Sequence, residues 1–282
     1  MSWFTLSIIY VFLASVSNIL RKILLRDDKS NAVGAAIIFQ FMGSAIVSVF
    51  AFWHGFVFPP IGTYPLNFFL EASFWGTSTL ALFKAYQYIE ASEITILFTI
   101  ESIVTIIVAQ IFLHEKFTSI NIIGTILIIF AIVYMFHNSS KIKFNKGVLY
   151  TFVSALLSGI AIVNDTFMLK HVDTLSYLVV GFFLPGVFIL LIQPKVVMKM
   201  KPLFHPDILR KNAIFTFVYT IAGIMFYFAI KEGGEASQVN TIAQAQVVLT
   251  VLFSAMFLNE RDHLLKKFFC AILVTIGVLL LR

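Results

Sequence analysis

The sequence is poor in the residues from which water-soluble folds are built. Only 12% of its 282 residues are charged and 60% are hydrophobic, with a mean hydropathy of +0.95. That leaves too little polar side chain to cover a globule in water. No polar stretch is long enough for a soluble catalytic domain. Cys270 is the one cysteine, which excludes an intrachain disulfide and a paired-thiol redox centre. No G-x-x-x-x-G-K-[ST] run is present, so direct drive by a phosphate-loop ATPase is excluded. No H-E-x-x-H occurs, and the six histidines (54, 114, 137, 171, 205 and 263) fall near the ends of apolar runs or between them. An intramembrane enzyme acting on lipid needs convergent His, Asp or Ser sets, so that alternative is disfavoured, and neither a cofactor nor a metal site is expected.

What remains is apolar length. Ten runs can be marked, at 3–24, 32–54, 66–89, 92–113, 118–137, 147–169, 174–193, 212–231, 236–258 and 263–281. Runs of about 20 residues cross a hydrocarbon core of about 30 Å at about 1.5 Å per residue. They are continuous rather than alternating, which predicts helices and not a barrel. The first lacks a basic leader and a small-residue cleavage site, so it is read as a retained helix. The expected fold is an all-α polytopic membrane protein of ten transmembrane helices.

One stretch occurs twice. Glu90-Ala91-Ser92 opens the fourth run and Phe112-Leu113-His114-Glu115 closes it. Glu235-Ala236-Ser237 and Phe257-Leu258-Asn259-Glu260 do the same for the ninth, at an offset of 145 residues at both ends. Thr105 falls on Thr250, and Glu101 on Gln246. A basic linker, 138–146, separates residues 1–137 from 147–282, with five runs in each part. Five is odd, so the second copy enters the membrane upside down relative to the first. Inverted repeats place a pseudo-two-fold axis in the membrane plane and a shared site near the midplane, which is the architecture of a carrier.

These features resemble the EamA domain of the drug/metabolite transporter superfamily. The resemblance rests on the Ala91-Ser92 turn, the apolar helix, Phe112-Leu113-x-Glu115, and Gly124 or Gly277 in the following helix, and it covers both halves. It implies two inverted five-helix EamA repeats in a secondary transporter, not an enzyme, in a bacterial or archaeal cell membrane. It also implies a small-molecule substrate such as an amino acid, a sugar, a nucleotide derivative or a choline-like cation. Two positions depart from the family pattern. The Pro common near Glu101 and Gln246 is absent from both halves, and the usual Gly before the closing Glu is His114 or Asn259.

Polar groups at membrane depth are costly unless they face protein or a wet cavity, so they are the candidate site. Glu101 is foremost, with Gln246 at the duplicated position on the opposite wall of one cavity. Glu71 sits one helical turn from Trp75, facing the cavity or snorkelling to the interface. Asn164 and Asp165 fall near the place that Asn18 takes in the first run; Asp165 either faces the cavity or pairs with Lys170. Asn240 and Gln244 share a face of the ninth helix, and Gln246 points elsewhere. Trp75, Tyr86 and Tyr88 lie near polar positions, as an aromatic cage for a cation or as an interfacial belt. Carboxylates outnumber bases at depth, which favours a cationic or zwitterionic, amino-acid-like metabolite, or proton exchange at Glu101. H+ and Na+ both stay open as coupling ions, and a monomer is compatible with the sequence. A channel and a non-transporting scaffold are the remaining alternatives.

The net charge of +6 reads as lipid-headgroup contact rather than nucleic-acid binding, because Lys and Arg cluster in short loops. Of the 20, 16 fall on the side of the loops that follow odd-numbered runs. The positive-inside rule then puts both termini outside, against the cytoplasmic termini that the resemblance implies.

Overall fold

The computed structural model of the chain describes residues 2–26, 31–113, 119–136, 145–232, 239 and 242–280. Among them stand eleven α-helices and no strand. The first half holds α1 (Trp3–Leu25), α2 (Ala32–His54), α3 (Pro65–Tyr88), α4 (Ala91–Phe98), α5 (Ile100–Leu113) and α6 (Ser119–Phe136). The second holds α7 (Lys146–Met168), α8 (Thr174–Ile192), α9 (Pro206–Lys231), α10 (Gln246–Phe253), a π-helical turn at Ser254–Leu258, and α11 (Leu264–Leu280). Six spans are long and apolar enough to cross a membrane unaided, α4 with α5 forming one of them. The chain is an all-α polytopic membrane protein built as two inverted five-helix repeats.

The helices begin where local chemistry can satisfy their free N–H groups, and counterparts in the two halves begin alike. Ser2 caps α1 and Asn145 caps α7; Asn31 caps α2 and Asp173 caps α8. Both α3 and α9 start with Pro at the first turn, where a missing N–H costs nothing. The packing repeats the exchange. As α3 lies along α7, so α1 lies along α9; α5 meets α7 as α10 meets α1; α2 pairs with α8 and α6 with α11. Such pairings are what a two-fold axis relating the halves produces.

Small residues let backbones approach without hydrocarbon between them. A Cβ on Gly124 of α6 would stand 2.4 Å from the carbonyl of Gly277 on α11. Between α3 and α7, the Ser78 and Ser154 hydroxyls each donate to the other's carbonyl, at 3.0 and 2.9 Å. The outer faces are apolar: Ile122, Ile126, Ile129 and Val133 of α6 are exposed, while Ile128, Ala131 and Met135 are buried. That is the pattern of a helix with lipid on one side and protein on the other.

One expected boundary shifts. Residues 194–211, between the seventh and eighth apolar runs, hold two 3₁₀ turns, Pro194–Lys199 and Lys201–Phe204, and the first turn of α9. Hydropathy starts the eighth run at 212, but Pro206 and Asp207 suit a first helical turn and begin the helix six residues earlier. The spans also break within the membrane. At Thr99 the α4–α5 span changes to i→i+3 bonding, with Thr99 N donating to Ile96 O at 3.4 Å. At Gln244–Ala245, Ala245 N donates to Ile242 O at 3.0 Å in the same way. Thr99 and Gln244 are 145 residues apart, so both breaks fall at the duplicated position. The family's common Pro is absent, and in the first half the Thr99 hydroxyl donates to Ile96 O at 2.6 Å instead.

Candidate functional site

The two breaks set Glu101 and Gln246 two residues beyond them, at the wall of a cavity of about 170 Å³ between the halves. Its lining comes from α1, α2, α3, α4, α5, α7, α9 and α10. Glu101 is 7% exposed, and no described residue gives its carboxylate a hydrogen bond or ion pair. Gln246 Nε2 stands 3.5 Å from the Tyr10 hydroxyl. Asn18 also lines the space, accepting from Tyr86 Oη at 3.1 Å and donating to Thr250 Oγ1 at 3.4 Å. Gln244 lines it too and donates to Ser102 Oγ at 3.1 Å. Asn240 lies outside the described residues, as do Glu115 and most of the linker at 138–146.

Arg21, near the end of the first apolar run, is in the cavity wall. It is 3% exposed, because it lies on the face of α1 that rings from α3 and α9 cover. Four aromatic rings enclose its guanidinium: Phe83, Tyr86, Phe215 and Tyr219, with centroids 5.4, 5.3, 4.9 and 5.1 Å from Cζ. An aromatic cage for a cation therefore exists, but the protein's own Arg21 fills it. No described carboxylate pairs with Arg21, and Nε is left without a partner. Nothing in the sequence marks this role beyond a charge at a run's edge.

A second polar cluster adjoins the first. Trp75, Thr79, Tyr219 and Tyr227 line both the large cavity and a smaller one of about 80 Å³. Glu71 lines the smaller space and is 3% exposed; Asp165 is 2% exposed. Tyr177 Oη lies 2.8 Å from Glu71 Oε2 and 2.7 Å from Asp165 Oδ1. Tyr227 Oη and Trp75 Nε1 both donate to Asp165 Oδ2, at 2.9 and 3.0 Å. Neither the snorkelling alternative for Glu71 nor a Lys170 partner for Asp165 matches this arrangement. Asn164 stands beside Glu71 and bonds Asn67, at 2.7 and 3.2 Å. Gln40, a residue that the sequence did not single out, is 3% exposed; its Nε2 donates to Thr79 at 3.0 Å and its Oε1 has no partner.

Near the cavity, at the α3–α4 turn, further contacts join the halves. Glu260, which closes the ninth apolar run, caps α4 of the other half, accepting from Ala91 N, Ser92 N and Ser92 Oγ at 3.1, 3.3 and 3.1 Å. Free N–H groups at a helix start are a better partner for a carboxylate than solvent-facing loop. Asn259 turns the chain into this position with φ 58°, a left-handed conformation that favours Gly and that Asn tolerates best among the others. The departure from the family's usual Gly is thus a close substitute. Lys267 is fully buried and pairs with Glu90, with Glu93 at 3.8 Å. Lys22 donates to the carbonyls of Tyr86 and Ile89 at 2.8 and 2.6 Å. Three of the sixteen basic residues counted toward orientation (Arg21, Lys22 and Lys267) are therefore engaged inside the protein.

No curated protein matches the sequence significantly. One solved crystal structure superposes on 99% of this chain and 94% of its own with a TM-score of 0.66 at 13% identity, a likeness of fold alone. A family model, described as the EamA-like transporter family, matches residues 1–137 and again 145–282. With both halves matched, each carrying the same helix break beside the shared cavity, the chain belongs to the EamA-like transporter family and is a multi-pass membrane transporter with a small-molecule substrate, not an enzyme.

Proposed function

We propose that the protein is a secondary carrier that moves a small zwitterionic, amino-acid-like metabolite by alternating access, in a bacterial or archaeal cell membrane. One observation carries the reading: both spans break at the duplicated position, beside a cavity walled by both halves. Interrupted helices at the interface of inverted repeats expose polar backbone to a site that either side of the membrane can reach in turn. The division into repeats 1–137 and 147–282 around the basic linker is part of this proposal.

Zwitterion selectivity rests on an arginine and a carboxyl in the wall, neither with an ion-pair partner among the described residues. Arg21 offers a free Nε–H to a carboxylate, and Glu101 offers an acceptor to an ammonium group. Tyr10 and Tyr219 lie within electrostatic reach of both. A volume of about 170 Å³ equals on the order of six waters, which suits a compact solute. Leaving either buried charge unpaired is expensive, and a ligand of opposite ends relieves both.

The test is ligand-induced thermal stabilisation of the purified protein by amino acids, simple amines and simple carboxylates, followed by counterflow in liposomes. A zwitterion should stabilise most. Arg21→Met and Glu101→Gln should each weaken its binding at least about 30-fold, the order expected for removing one member of a desolvated charge contact. Equal stabilisation by amines that lack a carboxylate would overturn the zwitterion reading. Flux without saturation or counterflow would turn the carrier into a channel, and no ligand at all would favour a scaffold.

A further inference from the structure

We propose that Glu71 holds an exchangeable proton, bound between α3 and α8 and communicating with the central cavity through water seated on Gln40. Tyr177 Oη is within hydrogen-bond distance of a carboxyl oxygen on each side, Glu71 Oε2 at 2.8 Å and Asp165 Oδ1 at 2.7 Å. A phenol has one proton to donate. Two ionised carboxylates would leave one of these contacts as lone pair against lone pair, in a site without counter-charge. The second contact therefore requires a proton on one carboxyl, donated to the phenol oxygen.

The surroundings decide which carboxyl carries it. Asp165 already accepts at Oδ2 from the Tyr227 hydroxyl and the Trp75 indole, an arrangement suited to the ionised form. Among the described residues Glu71 shares a hydrogen bond with Tyr177 and has the Asn164 amide beside it; its Oε1 lies against Gly181, where an added Cβ would stand 2.9 Å away. The chain then reads Glu71 Oε2–H to Tyr177 Oη, and Tyr177 Oη–H to Asp165 Oδ1. The groups that face the pair are Trp75 from α3, Asn164 from α7, Tyr177 from α8, Tyr219 and Tyr227 from α9, and Gln40 from α2. Among the described residues no Lys, Arg or His pairs with either carboxyl.

An independent feature points to a ligand that donates. Gln40 Oε1 is an acceptor with no partner, on a residue 97% buried, at the wall of the 80 Å³ space that Glu71 also lines. That volume admits two or three waters at about 30 Å³ each, and Gln40 Oε1 supplies a polar anchor for one. Release breaks the Oε2–H bond of Glu71 and forms a bond to a water oxygen; Glu71 is left as a carboxylate and the proton leaves along the walls shared with the large cavity. Its role as a co-ion rests on the carrier reading above, but its presence does not.

Infrared spectroscopy of the purified protein in bilayers reads the proton without any substrate. The carboxylic-acid C=O band should lose a component in Glu71→Gln, keep it in Asp165→Asn and in Glu101→Gln, and change frequency in Tyr177→Phe, which removes the acceptor. On transfer to D2O the component should shift, and in Gln40→Leu the exchange should slow about tenfold or more. The proposal is overturned by a spectrum unchanged in Glu71→Gln, by a component lost in Asp165→Asn and kept in Glu71→Gln, or by a band that D2O never shifts. Should Glu71→Gln not fold, an unmoved band in Tyr177→Phe overturns it equally. Failure of the amino-acid binding experiment leaves these readouts intact, so the two proposals fail separately.

Discussion

Two buried polar regions of this molecule are made of similar residues and differ in how completely they are paired. At the α3–α4 turn, Glu260 accepts three hydrogen bonds, Lys267 faces two carboxylates, and Lys22 donates to two carbonyls. A few turns away, Arg21 Nε, Gln40 Oε1 and the Glu101 carboxyl at the cavity wall have no hydrogen-bond partner among the described residues. A buried group that is fully satisfied contributes to holding elements together, whereas an unsatisfied one lowers stability and is retained for something that binds. The turn is therefore read as fastening and the cavity as site.

The sharpest way to break that contrast is Glu260→Ala. It strips a carboxylate from the start of α4 and leaves Ala91 N–H and Ser92 N–H buried without acceptors. Removing one side of a buried charge-assisted cap is expected to cost about 3 kcal/mol. Thermal unfolding in detergent should show a clear fall in the apparent melting temperature, while Arg21→Met, which removes an unpaired charge from the cavity wall, should hold or raise it. Should the two variants prove equally stable, the distinction between the regions would not stand.

How much of this was legible in the sequence depends on what made each residue conspicuous. The duplication was visible because Glu-Ala-Ser opens and Phe-Leu-x-Glu closes an apolar run in both halves, and Glu101 with Gln246 because polar groups in mid-run are costly. Arg21 was hidden by its place: basic residues near the end of an apolar run read as headgroup contacts. Only the rings from α3 and α9 show otherwise. Tyr177 and Tyr227 were invisible because tyrosine in an apolar helix carries no distinguishing cost, and Asp165 meets them from 12 and 62 positions away. Gln40 did carry a signal. An amide in the middle of an apolar run is the same clue that singled out Gln246. The breaks at Thr99 and Gln244 could not be read, because the residue that usually announces a break, proline, is absent.

A smaller effect belongs to the rim, where the comparison has a solvent-exposed control. Asp173 caps α8, accepting from Ser176 N at 3.0 Å and Ser176 Oγ at 2.9 Å, with Lys231 at 4.0 Å. Partial burial pushes its carboxyl up, but the Ser176 N–H, the Ser176 hydroxyl and Lys231 together hold it below the usual aspartate range. A depressed folded-state value means that its stabilisation is present above the ordinary aspartate range near pH 4 and fades as pH falls through the lowered value. Asp173→Ala should cost about 1 kcal/mol at neutral pH. The gap between variant and wild type should close on acidification. A gap that widens instead would contradict the cap.

The smallest expected change is the most discriminating for the cavity. Gln40→Leu removes an amide whose Nε2 bonds Thr79 and whose Oε1 bonds nothing. The lost hydrogen bond is worth about 1 kcal/mol, and relief of the buried orphan acceptor is worth about as much in the opposite direction. Net stability should therefore stay within about 0.5 kcal/mol of wild type, by chemical unfolding in mixed micelles. A loss of several times that would show that Gln40 is held by partners in the resting protein, as Glu260 is. A near-zero change together with slowed D2O exchange at Glu71 would place Gln40 with the groups kept for a ligand, because only a residue retained for traffic through the cavity can be removed at no cost to the fold and still be missed.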